Sequence, residues 1–281
     1  MKYKVNKLYL ISIAIFGFSI SFLNYSCKDN LDKLDNQDFV NTPITQQSYP
    51  IESDQDAFDY LPKFSSHQIV RHKYYTLSYN EEYEQAEWVA YRLTKKNSIQ
   101  NNFKRPSFIQ DNAVLTSSAD WKNYKNSSYD KGHLCPAGDM KFSKKAFHDT
   151  FYTSNISPQL HAFNSGVWNR LEQKVRYWST KYDNLYVITG GVLQKGLKTI
   201  GKEKVAVPKY FYKIIVYKIN GNFKMIGFLI PHQESKLPLY KFVVAVDKIE
   251  ELTNIDFFPK LNDSIENQLE KSADYKDWIF N

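Results

Sequence analysis

The chain has 281 residues, of which 42% are hydrophobic and 16% aromatic, and it carries a net charge of +7 at neutral pH. That length and apolar content support one large domain with a substantial core. Two cysteines exclude a disulfide framework, and no internal repeat appears, so a repeat architecture is excluded as well.

At the amino terminus Lys2, Lys4 and Lys7 precede an apolar run over residues 8–23, the charged and hydrophobic regions of a signal peptide. The run ends at Ser26-Cys27. A small residue directly before a cysteine resembles a bacterial lipobox, in which Cys27 would be lipidated and become the first mature residue. Asn24 and Tyr25 depart from the usual residues of that motif. The competing reading is a transmembrane anchor, but the run is shorter than the roughly 20 residues a span needs. By resemblance to lipoproteins sorted by the residue after the cysteine, Lys28 in place of Asp points to the outer membrane.

Residues 28–59 set two lysines against eight acidic residues, a net of −6, and read as a flexible tether. With the leader's three lysines and this stretch set aside, residues 60–281 carry +10. A basic domain on an acidic leash suits a polyanion, because backbone phosphates attract Lys and Arg whatever the base sequence. A lysine-rich surface that only aids solubility is the plainer explanation of the same charge. The expected organisation is a signal peptide over 1–26, a tether over 27–59 and a folded domain over 60–281.

The folded part reads as α+β, with a mixed or antiparallel central sheet and flanking helices. Residues 185–191 form a short apolar strand closed by Gly190 and Gly191, predicted to be central. Strands over 211–219 and 223–230 flank Asn220-Gly221, the strongest short hairpin signal, and a third strand follows at 242–246. Helices are predicted over 164–182 and 263–273. In helical projection Trp168, Leu171, Val175 and Trp178 form one apolar stripe, and Asn164 falls in its middle. A carboxamide buried there without a partner would cost about 1–3 kcal/mol, so something must bond to it. The plain reading of Asn164 is a helix N-cap.

Three runs carry the chemistry: Tyr129-Asp130-Lys131-Gly132-His133-Leu134, Thr153-Ser154-Asn155-Ile156-Ser157-Pro158-Gln159, and Asn164-Ser165-Gly166-Val167-Trp168-Asn169-Arg170-Leu171-Glu172. They resemble the DNA/RNA non-specific endonucleases of the ββα-metal superfamily, in which an Asp-Arg-Gly-His strand leads to a helix carrying a metal-binding asparagine. The resemblance extends from about Trp88 to Pro259 and includes Trp88-Val89-Ala90-Tyr91, the run from Val207 to Lys213, and the run from Glu251 to Pro259. One departure stands out: Lys131 occupies the arginine position of the motif.

The resemblance implies a ββα-metal active site that hydrolyses phosphodiesters in DNA and RNA with Mg²⁺ or Mn²⁺. Such hydrolysis needs a base for the water proton, neutralisation of phosphate charge and help for the leaving oxygen. His133, neutral near physiological pH, is the candidate base. Asn164 would be the only direct protein ligand to a Mg²⁺ that keeps several waters, with Glu172 acting through those waters. Arg105 falls near the position of the phosphate-contacting arginine, with Arg92 as its rival. Asn155 matches the asparagine that sets hydrogen bonds around the catalytic water and metal. Lys131 retains charge but loses the bidentate fork. Zinc is disfavoured, because no His pair has i, i+4 spacing and the cysteines are far apart. His67, His72, His148, His161 and His232 read as structural, and Cys135 as a buried thiol.

Two other classes stand beside the nuclease. One is a catalytically silent nucleic-acid-binding lipoprotein, against which the joint retention of His133, Asn164 and Glu172 speaks. The other is an envelope interaction protein whose basic face meets anionic lipid or glycan. Metal-dependent shortening of DNA or RNA separates both from the enzyme, whose expected partners are nucleic acid and, through Cys27, a membrane.

Overall fold

The structure, a computed structural model, describes residues 59–63 and 66–280. Cys27, the expected signal peptide and all of the tether except Asp59 lie outside the described residues.

In chain order the strands are β1 (Gln68–Arg71), β2 (Tyr75–Asn80), β3 (Gln85–Leu93), β4 (Asp130–His133), β5 (Ile156–Gln159), β6 (Leu185–Gly191), β7 (Thr199–Ile200), β8 (Val205–Ala206), β9 (Tyr210–Ile219), β10 (Asn222–Pro231) and β11 (Val243–Val244). The α-helices are α1 (Lys144–Asp149), α2 (Asn169–Tyr182), α3 (Val246–Thr253) and α4 (Asp263–Glu270). Seven strands build one antiparallel sheet in the order β1-β2-β3-β6-β9-β10-β11, so the predicted central strand is the middle one. Strands β4 and β5 form a separate antiparallel pair, as do β7 and β8.

Both faces of the large sheet are covered, which is why β3, β6 and β9 read as almost unbroken apolar runs rather than as alternating ones. Alternate side chains divide between two cores. Val89, Tyr91, Val187 and Ile215 join Trp168, Leu171, Val175 and Trp178 of the α2 layer. Trp88, Ala90, Ile188, Ile214 and Val216 face Val246 and Ile249 of α3. Leu171, Val175 and Trp178 of α2 and Trp168 just before it are all fully buried, as their spacing predicts. Each such tryptophan removes roughly 200 Å² from water, a gross gain of about 5 kcal/mol.

The β9–β10 hairpin turns at Asn220 (φ 50°) and Gly221 (φ 81°), two left-handed residues in succession, as a tight turn on twisted strands requires. Three predicted boundaries move. The third strand shortens to β11, because Phe242 ends a 3₁₀ turn and Val246 opens α3. The last helix ends at Glu270 rather than 273. The helix expected from 164 begins regularly only at Asn169, because Gly166 (φ −95°, ψ −110°) leaves helical geometry inside a wide turn over Phe163–Trp168.

Candidate active site

The β4–β5 pair aligns Asp130 with Gln159 and His133 with Ile156. Gly132 in its middle has no room for a methyl group: a Cβ there would lie 2.2 Å from the buried Gln159 side chain across the pair. The 22 residues between the two strands carry α1 and return aromatic side chains to the motif. His133 packs edge-on against Phe151, with ring centroids 5.0 Å apart, and lies 5.5 Å from Phe108. Its Nε2 is buried and meets no hydrogen-bond partner among the described residues. Burial first, and the Arg105 charge second, push the imidazole down to about 3, so it stays neutral through the physiological range.

The Arg105 guanidinium lies over the same two rings, 5.2 Å from the centre of Phe151 and 5.8 Å from that of Phe108. Phe108 and Phe151 therefore position the candidate base and the candidate phosphate clamp together. Arg92 lies elsewhere, bonded to Asn184 and stacked over Tyr186, and it does not line the cleft. The structure thus separates the two arginines and sets Arg105 beside His133.

Asn164 is not on the buried stripe of α2, because the wide turn at Gly166 breaks the 100° progression that projected it there. It is half-buried, and its side chain caps no helix. Its Nδ2 donates to Asp130 Oδ2 at 2.9 Å. That bond fixes which way the amide faces and leaves Oδ1 without a hydrogen-bond partner among the described residues. Asp130 Oδ2 also lies 2.9 Å from His161 Nδ1, so a residue read as merely structural belongs to the support of Asn164.

Glu172 rises from the first turn of α2 into the same cleft, of about 480 Å³, which His133, Arg105 and Asn164 line with it. Its surroundings pull in opposite directions. Burial pushes the carboxyl up, Lys213 pulls it down, Asp139 pushes it up and Arg176 pulls it down, with a net rise to about 7. Arg176 pairs with Asp139, whose other oxygen accepts from Tyr91 Oη at 2.9 Å. Lys213 is fully buried on β9, its Nζ 4.9 Å from the centre of the Trp168 ring and without a hydrogen bond. Desolvation lowers its pKa, against the opposing charges of Glu172 and Asp139.

Asn155 and Lys131 stand outside the cleft lining. The Asn155 amide accepts from Cys135 N at 2.8 Å and donates to the carbonyls of Cys135 and Thr150. Among the described residues its side-chain bonds all go to backbone, so it fixes the turn after His133. The Lys131 ammonium sits over Phe108 and Tyr124, at 5.4 and 5.9 Å. Cys135 is buried and unpaired, and burial together with Asp139 pushes its thiol well up, which disfavours the thiolate.

The sequence reading missed Asp130, Asp139, Arg176 and Lys213. Arg176 had a signal, since it follows Glu172 by one helical turn. Asp139 and Lys213 had none, because only the fold brings them beneath the cleft.

The family model for DNA/RNA non-specific endonucleases matches residues 54–264. The chain belongs to that family. It is 30% identical to human mitochondrial endonuclease G over 209 residues, covering 69% of this chain and 70% of that protein. It is 33% identical to mitochondrial nuclease EXOG of Danio rerio, over 67% of this chain and 61% of that one. With nuclease C1 of Cunninghamella echinulata it shares 32% identity over 67% of this chain and 81% of the relative. Among solved structures, endonuclease G in its complex with EndoGI superposes with a TM-score of 0.66 at 31% identity, covering 70% of this chain and 88% of that one. The endonuclease fold is therefore that of this chain, with the paired strands β4 and β5 and helix α2 as its ββα element.

Proposed function

We propose that this chain is a Mg²⁺-dependent endonuclease, with Mn²⁺ as the alternative metal, that cleaves DNA and RNA without regard to base sequence. Its membership of the non-specific endonuclease family makes it a phosphodiester hydrolase, and the assignment of roles to residues is our own. The observation that carries the reading is the convergence of His133, Arg105, Asn164 and Glu172 on one cleft, with the carbonyl of Asn164 meeting no hydrogen-bond donor among the described residues.

The donor set fits a hard divalent cation. Asn164 offers an amide oxygen and Glu172 a carboxylate, both hard oxygen donors lining one cleft. A Mg²⁺ held there supplies positive charge to the phosphate and the leaving oxygen. His133 takes the proton of the attacking water as the new P–O bond forms and the bond to the leaving sugar oxygen breaks. Arg105 donates to the non-bridging oxygens, where charge builds up in the transition state. Phe108 and Phe151 exclude water behind the imidazole and hold it against Arg105. No base-reading element supports sequence preference, and phosphate contacts carry none.

We further propose that Cys27 is lipidated and holds the enzyme in the cell envelope, on the outer membrane, with residues 27–59 as the tether. The support is the charged start, the apolar run and Ser26-Cys27. Cys27→Ser abolishes acyl labelling if this is correct, and an unmodified mature chain beginning elsewhere refutes it. The catalytic reading is tested with plasmid, single-stranded DNA and RNA in EDTA and after Mg²⁺ is restored. All three polymers shorten only with the metal; full cleavage in EDTA overturns the metal requirement.

A further inference from the structure

Far from the cleft, α3 and α4 pack on the opposite face of the large sheet, where Val246, Ile249 and Leu269 join its second core. Asp247 and Glu250 are three residues apart on α3 and share one helical face. Glu270 ends α4, and its carboxylate oxygen lies within 4.8 Å of those of Asp247 and Glu250, which are equally close to one another.

The cluster differs from an ordinary acidic surface. Glu270 is only 6% exposed, its Oε1 is buried without a hydrogen-bond partner among the described residues, and its carboxylate is directed at the other two. One turn earlier on α4, Glu266 also buries an Oε1 that meets no partner. None of these four residues forms an ion pair among the described residues. Among the described residues the one bond donated to their carboxylates comes from the Phe257 backbone to Glu250 Oε1, at 2.8 Å. Three carboxylates so close and so poorly solvated repel one another unless something neutralises them. Burial and mutual repulsion push Glu270 up to about 9 and Glu250 up to about 7, which is the proton's way of meeting that need.

We propose that Asp247, Glu250 and Glu270 bind a divalent cation of the calcium type, which ties α4 to α3 and is independent of the catalytic metal. The chemistry fits: hard oxygen donors alone, three formal negative charges, and an open side where Asp247 and Glu250 are half-exposed and waters complete the shell. Zinc is disfavoured, because no imidazole or thiolate is present. The site stabilises the fold and takes no part in cleavage, since it lies across the sheet from α2.

The test uses the full chain carrying Asn164→Ala, which silences the cleft as a metal site, stripped with EDTA and titrated calorimetrically with Ca²⁺ at pH 7.5. One Ca²⁺ binds per chain with release of protons, and at a hundredfold excess over Kd the melting temperature rises by about 5–10 °C. Adding Asp247→Asn and Glu270→Gln abolishes both effects. The same double substitution in the otherwise unchanged chain leaves its Mg²⁺-dependent DNA cleavage intact. Absence of Ca²⁺ uptake by the Asn164→Ala chain overturns the proposal. So does a melting temperature unmoved by Ca²⁺, or uptake that survives the double substitution; in these cases the carboxylates are held by protons instead. Should the double variant fail to fold, the melting temperature of the Asn164→Ala chain with and without Ca²⁺ decides the question alone.

Discussion

Replacing Asp130 with Ala removes the acceptor that turns Asn164, and the structure sets the size of the effect. Asp130 Oδ2 accepts from Asn164 Nδ2 at 2.9 Å and lies 2.9 Å from His161 Nδ1. The His161 side chain is 80% exposed, so that pair contributes little, at most about 1 kcal/mol. The bond to Asn164 is half-buried and charge-assisted, in the range of about 1.5–3 kcal/mol. Its loss lets the amide rotate between ligating and non-ligating orientations. Supporting groups of this kind change metal affinity by about 10–100-fold. We therefore expect the Mg²⁺ concentration giving half-maximal cleavage to rise 10–100-fold in Asp130→Ala, with the rate at saturating Mg²⁺ largely recovered. Asp130→Asn, whose amide oxygen still accepts, falls between, and His161→Ala stays within about fivefold of the parent. The assay is fluorogenic DNA cleavage across a Mg²⁺ titration. An unchanged half-maximal concentration in Asp130→Ala refutes the reasoning.

Lys213→Met removes the buried charge that pulls Glu172 down, so the carboxyl rises further and the acid limb of the pH–rate profile moves up by about one pH unit. An unmoved profile at fixed Mg²⁺ removes Lys213 from the site. His133 has a folded pKa depressed to about 3 from 6.5, so between those values the unfolded chain takes up a proton that the folded chain refuses. Stability should therefore fall as pH drops below about 6.5, and more steeply in the parent than in His133→Phe. Urea midpoints from pH 7 to pH 5 measure this, and parallel curves count against a buried neutral imidazole.

Local signals carried much of the fold and part of the site. Asn220-Gly221 marked its hairpin because two left-handed residues are needed there, and the period of Trp168, Leu171, Val175 and Trp178 marked the buried face of α2. Residues 185–191 read as central because both faces of β6 are covered. Asn164 was singled out for an imperfect reason. Uniform helical projection buried it on the stripe, whereas Gly166 opens the turn and delivers it to Asp130. The support beneath the site was illegible. Lys213 is 41 residues from Glu172, and Asp139 is 37 residues from Arg176, so only sheet order and helix packing bring them to the cleft. Nothing local marked Asp247 and Glu250, because Glu270 reaches them only once α4 has packed beside α3.

If His133 is the general base in a cleft that treats all phosphodiesters alike, single-turnover cleavage of end-labelled random DNA and RNA pools by the parent and His133→Ala, with binding measured in parallel, shows it. Binding is then equal, the parent cleaves at every sequence in both pools, and the rate falls at least ~10²-fold in the variant. Near-parental turnover in His133→Ala, or a discrete recognition sequence in either pool, would contradict this reading.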